Sequence, residues 1–216
     1  MASISEIADA IIQIQSEIRD YINVDGEEPL DTDSSVSFQA LLSALDVLGD
    51  TTLALSAASS LSISWKRAGA SYIHLYGVYQ AIELQISALD LLSAHFTYER
   101  SDNILRESQY LRDLRILVAG HPIFRIPAKK RKAGSSGISR VSMSGTKFTL
   151  ADFIKNESVI FTQRDFADDS RRCLENSLTQ LFNIAAANVP GFAPPHYSAA
   201  ASRFMSLAPG TPSTPD

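Results

Sequence analysis

Ile4, Ile7, Ile11, Ile14, Ile18 and Tyr21 recur at alternating three- and four-residue intervals. That spacing lays one apolar seam along a helix of about three heptads, ended by Asp25-Gly26. The seam suits either a bundle helix or a short coiled coil. After the acidic loop GEEPLDTDSS, Ser37 can cap a second helix whose buried face is Leu41, Leu42, Leu45 and Leu48. Gly49-Asp50 is expected to break or kink it, with a small-residue continuation to about Ile63.

From Ala70 to Phe96 the apolar positions Ile73, Tyr76, Val78, Ile82, Leu84, Ile86, Leu89, Leu91 and Leu92 occupy more than one stripe, which predicts a helix in the middle of a bundle. Gln80, Glu83, Gln85 and Asp90 are its polar positions. Ser101-Asp102 caps a fourth helix through Ala119, with Ile104, Leu105, Leu111, Leu114 and Val118 inward. ISRVSMSGTKFTL then alternates with period two about Ser144-Gly145 and predicts a short β-hairpin. Gln163 to Asn188 reads as a last long helix carrying Phe166, Leu174, Leu178, Leu181 and Ile184. The expected fold class is therefore mainly α: a bundle of about five helices over residues 1–189, with a hairpin insertion at about 138–150. Residues 190–216 form a Pro/Ala/Ser-rich tail expected to be disordered.

Composition narrows the function classes. The 216 residues are 45% hydrophobic and 20% charged, as in a soluble domain with a sizeable core. No uncharged apolar run reaches the ~18–20 residues that span a bilayer, and the acidic, periodic start does not resemble a secretory signal. No membrane association and a cytoplasmic location are the expectations. The single cysteine, Cys173, excludes an internal disulfide and a thiolate zinc cage, and no His/Asp/Glu spacing suggests a metal. No Gly-rich loop cradles a nucleotide, so no cofactor is expected. Ser135-Ser136 and Ser142-Ser144 are turn residues without a base placed to activate them. A net charge of −5 argues against a protein that coats nucleic acid, but leaves room for a local basic patch.

Such a patch follows the fourth helix: Arg125, Lys129, Lys130, Arg131 and Lys132 lie within eight residues. They could hold an RNA backbone or form a solvated loop. Just before them stands the corner LRDLRILVAGHPIF. On a continuous helix Arg115 and His121 would differ by about 120° in azimuth. Gly120 can take the left-handed conformation and Pro122 stops the helix, so His121 can swing toward Arg112 or Arg115. A neutral His can take a proton from a 2′-hydroxyl while an Arg stabilises charge growing on a phosphate. Equally, Gly-His-Pro can be a helix cap whose imidazole meets the last carbonyls. His74 and His95 read as helix-surface residues, and His196 lies in the tail.

YIHLYGVYQAIELQISALDLL followed by LRDLRILVAGHPIF and ISRVSMSGTKFTL, about Tyr72 to Leu150, resembles bacterial proteins of the HEPN superfamily. There a helix with a Tyr-Gly-x-x-Gln-Ala core precedes a helix of Arg-x-Leu-Arg-(Asn)-x4-His-Pro type, with a hairpin after it. The resemblance implies a helical, commonly homodimeric domain, and in many members a metal-independent ribonuclease of toxin–antitoxin or phage-defence systems. By that resemblance Arg115 and His121 are the catalytic pair and an antitoxin or defence protein is a partner. Arg112 and the basic residues are, on their own charge and position, the candidate RNA contacts. Active relatives usually carry a polar residue where this chain has Ile116, and often Gln-Asp where it has Ile86-Ser87. Ile123 replaces the Tyr that is nucleotidylated in some members. A non-catalytic HEPN-like interaction module and a helical scaffold joined through the Ile4–Tyr21 seam are the alternatives.

Overall fold

The computed structural model describes residues 2–25, 37–60, 68–96, 98–118, 136–138, 147–152 and 157–192. Among the described residues there are five helices: α1 (Ile4–Asp25), α2 (Phe38–Ser60), α3 (Ala68–His95), α4 (Asp102–Val118) and α5 (Gln163–Asn188). Between α4 and α5 the described residues form three short strands, β1 (Ser136–Ile138), β2 (Lys147–Asp152) and β3 (Glu157–Thr162). The protein is mainly α, a helical bundle.

The α1 seam is spent inside the chain. Ile7, Ile11, Ile14, Ile18 and Ile22 are buried in a core shared with α2, α3, α4 and α5. Ile22 continues the seam; Tyr21 is only half-buried at its edge. These isoleucines are therefore covered by the chain's own helices and offer no free seam for joining a scaffold.

Gly49-Asp50 neither breaks nor kinks α2, which runs unbroken to Ser60. Gln15 of α1 lies against the notch that Gly49 leaves: a Cβ there would sit 3.0 Å from the Gln15 amide, whose Nε2 donates to the Leu45 carbonyl at 2.5 Å. Gly49 serves close helix approach rather than chain reversal. By length and composition α2 could cross a membrane. In the fold Leu41, Leu45, Leu48 and Leu55 face the core, and Asp46 pairs with Arg19 of α1 at 2.5 Å.

α3 packs against α2, α4 and α5. Leu75, Val78, Tyr79, Ile82, Ile86, Leu89 and Leu92 are buried on those sides. Ile73, Tyr76 and Leu84, expected inward, are exposed, Ile73 by 75%. With Gln80 and Ser87 they fall on one stripe of a 3.6-residue period, the face that no described helix covers. Leu105 of α4 is likewise exposed.

The strands form one antiparallel sheet in the order β1-β2-β3, with Ile138 opposite Leu150 and Thr149 opposite Ile160. The reversal expected at Ser144-Gly145 lies outside the described residues. β structure does not stop near Leu150: Ser158-Val-Ile-Phe-Thr162, β-branched and aromatic, adds a third strand. β3 runs straight into α5 through a capping box. Thr162 Oγ1 accepts from the Asp165 amide at 3.4 Å, and the Asp165 carboxylate accepts from the Thr162 amide at 2.6 Å.

Candidate functional site

The α3–α4 contact is a polar ladder, built because α4 runs antiparallel to α3 and presents Arg112 and Arg115 to it. Arg112 reaches two carboxylates of α3, Asp90 at 2.6 Å through Nη2 and Glu83 at 3.4 Å through Nε. Arg100, in the α3–α4 connection, holds the other oxygen of Asp90. Partial burial disfavours the Arg112 charge. The hydrogen bond and charge of Asp90, joined by Glu83, more than offset it and hold the guanidinium above its ordinary range. Arg112 is thus neutralised by the fold. Its expected role as an RNA contact is replaced by a strut between helices.

One turn on, Arg115 meets a different environment. Its Nη2 donates to the neutral amide oxygen of Gln80 at 3.3 Å, and its Nε is buried without a hydrogen-bond partner. Among the described residues no carboxylate lies within 4 Å of it, whereas Arg19, Arg100, Arg112, Arg164, Arg171 and Arg172 each have at least one. Arg106 also lacks one, but it is exposed and its Nε donates to the Asp102 carbonyl of its own helix. Arg115 occupies the last turn of α4, where the helix dipole favours a cation. Ile116 beside it is half-buried. His121 and the basic residues Arg125, Lys129, Lys130, Arg131 and Lys132 lie outside the described residues. Of the expected site, the fold separates Arg112, which is paired, from Arg115, which is not.

A second polar centre lies where α3, α4 and α5 meet. The Tyr79 hydroxyl donates to Asp169 Oδ2 at 2.7 Å, and the Tyr79 ring stands edge-on to Phe166. Asp169 is 4% exposed, and burial pushes its carboxyl up to about 6 against the opposing pull of Tyr79 and Arg172. Arg172 also sits over the Tyr110 ring at 5.7 Å and lies 3.9 Å from Glu107. Sequence reading passed over both Asp169 and Tyr79. The available signal was an acid placed at helical spacing between Phe166 and Cys173 on the inward face of α5.

Gln85 anchors a third set. Fully buried, it donates to Thr52 and Ser177 hydroxyls, both at 3.1 Å, and accepts from Thr51. The Ser177 hydroxyl in turn donates to the Cys173 carbonyl at 2.7 Å. These bonds join α2, α3 and α5 with the Gln85 amide satisfied at both ends, a structural network. His74 and His95 are half-buried, and burial lowers both imidazoles below their ordinary range. No group of three metal-ligating side chains occurs among the described residues. No family model, curated protein or solved structure matches this chain.

Proposed function

We propose that this chain is a HEPN-like RNA-directed protein, a metal-independent endoribonuclease of a toxin–antitoxin or phage-defence system, in which Arg115 clamps a phosphate and His121 is the general base. The observation that carries the reading is the uncompensated Arg115 guanidinium, set one turn from an arginine that two carboxylates neutralise. A cation left without a carboxylate at the partly buried end of a helix is suited to an anionic ligand. In the reaction the 2′-oxygen bonds to phosphorus and the bond from phosphorus to the 5′-oxygen breaks. His121 accepts the 2′ proton, the 5′-oxygen takes one from water, and a 2′,3′-cyclic phosphate remains. Arg125, Lys129, Lys130, Arg131 and Lys132 would hold the adjoining RNA backbone. The protein would act in the cytoplasm as a homodimer, with an antitoxin or defence protein as partner.

The test is cleavage of single-stranded RNA in the presence of EDTA. Cyclic-phosphate ends are expected, and His121→Ala and Arg115→Ala should each slow cleavage ~100-fold or more. Ile116→Asn should raise the rate by giving Arg115 or the phosphate a polar neighbour. Inert wild type and inert Ile116→Asn on varied RNAs would overturn the enzymatic reading.

A specific observation favours a second reading, a non-catalytic interaction module. Ile73, Tyr76 and Leu84 form an exposed apolar line on α3, beside the Gln80 that holds Arg115. Monomeric surfaces seldom align large apolar side chains without a partner. Under this reading the chain binds another protein through α3, and RNA is left unchanged.

A further inference from the structure

The geometry points to Gln80 as the positioning residue of an oxyanion site at Arg115: its neutrality keeps the guanidinium free for a phosphate, and its amide oxygen fixes the direction in which that guanidinium faces. The natural ligand, a phosphodiester, follows from the RNA reading above; the site itself stands on the arrangement of α3 and α4.

Three observations converge. Position 80 is the α3 residue that meets Arg115, as Glu83 and Asp90 are the ones that meet Arg112. The same helix pair therefore places acids opposite one arginine and an amide opposite the other. Arg112 shows what an acid at such a position does: it consumes the cation. Gln80 itself is exposed, so its 3.3 Å bond to Arg115 adds little to stability. An exposed amide at that place matters more for the charge it lacks than for the bond it makes. Finally, Arg115 Nε is buried without a partner while Gln80 occupies only Nη2. Nε is sealed from solvent, so the donors open to a ligand are those of the Nη1–Nη2 edge. Nη1 makes no bond among the described residues and Nη2 keeps a second N–H, and an oxyanion can accept from both in a fork.

The ladder below supports this placement. Arg112 bridging Glu83 and Asp90, with Arg100 on Asp90, fixes the register of α4 on α3. That register brings Arg115 level with Gln80. A glutamate at position 80 would keep the shape and form the ion pair that the fold withholds.

The experiment follows the Arg115 Nε–Hε resonance, assigned with Arg115→Lys, in the full chain while inorganic phosphate replaces chloride at constant ionic strength. Wild type should show a saturable shift at Arg115. Gln80→Glu should weaken phosphate binding ~10-fold, the scale of one added charge contact, while its melting temperature holds or rises. That combination separates lost binding from lost fold. Gln80→Ala should retain the charge but broaden the Arg115 signal and weaken binding by a smaller factor. An Arg115 resonance unmoved by phosphate, or equal phosphate binding by wild type and Gln80→Glu, would overturn the inference. A parallel titration with a single-stranded RNA oligonucleotide separates the two claims. Phosphate binding at Arg115 without RNA binding or cleavage leaves the oxyanion site and removes the ribonuclease. RNA cleavage with a silent Arg115 does the reverse.

Discussion

Replacing Asp169 by Asn exchanges a buried carboxylate for an amide of the same shape whose oxygen can still accept from Tyr79. The carboxyl sits at about 6 in the fold against an ordinary 3.8. Burial is the main cause, with Tyr79 and Arg172 acting against it and Asp165 and Asp168 adding to it. Because the folded value is raised, protonation favours the folded chain. That contribution is complete below pH 3.8 and is lost as pH rises through 6. At ~1.4 kcal/mol per unit, the ionised form carries a penalty of about 3 kcal/mol above pH 7. Asp169→Asn should remove it. Denaturant unfolding at pH 7.5 should show the variant more stable by up to about 3 kcal/mol, or ~6–12 °C in Tm for a chain of this size. At pH 4 the two proteins should nearly coincide. A variant equal to or weaker than wild type at pH 7.5 would refute the reasoning. It would mean that the charge-assisted bond from Tyr79 outweighs the cost of burying the charge.

Tyr79→Phe takes away the donor that favours the ionised form, so the Asp169 titration followed by carboxyl carbon resonances should move further up, with ~1–3 kcal/mol lost at pH 7.5. Gln85→Leu should cost about 1–3 kcal/mol in chemical denaturation, because Thr52 and Ser177 lose a buried partner while Thr51 keeps the Val47 carbonyl at 2.7 Å. Arg112→Ala should lower stability by about 1–2 kcal/mol through the stranded Glu83 and Asp90, whereas Arg115→Ala should change it by less than ~0.5 kcal/mol. Equal losses in the two variants would erase the distinction between strut and free cation. Cys173 is buried and its thiol is pushed up to about 12, so a thiol reagent should label it only after denaturant unfolds the chain.

Helix positions were legible because each helix buries a stripe of regular spacing; α5 spans Gln163–Asn188 as its pattern predicts. Two kinds of information were not. Period alone cannot say how many sides of an apolar helix find partners, so Ile73, Tyr76 and Leu84 read as core and lie in the open. Nor can it say whether a glycine turns the chain or admits a neighbour: Gly49 lies under a side chain from α1, a contact across more than thirty residues. The polar positions of α3 stood out against its apolar background, and Gln80, Glu83, Gln85 and Asp90 each hold a hydrogen bond or ion pair in the fold. Asp169 escaped notice because its partner Tyr79 lies 90 positions away. The assignment of roles to Arg112 and Arg115 likewise needed the α3–α4 register.

α5 touches each of the other four helices, and it is the last of the described helices. It supplies Ser177 to the Gln85 network and Asp169 to Tyr79, contacts 92 and 90 residues apart in sequence. During synthesis α1 to α4 therefore leave the ribosome with one flank of their core open to water. Seventy residues separate Val118 from Asn188, so at ordinary elongation rates that interval lasts roughly 4–14 s. Until it ends the nascent chain presents an apolar cleft in which a chaperone can stand in for the missing helix. A chain truncated before Gln163 would leave that cleft unfilled.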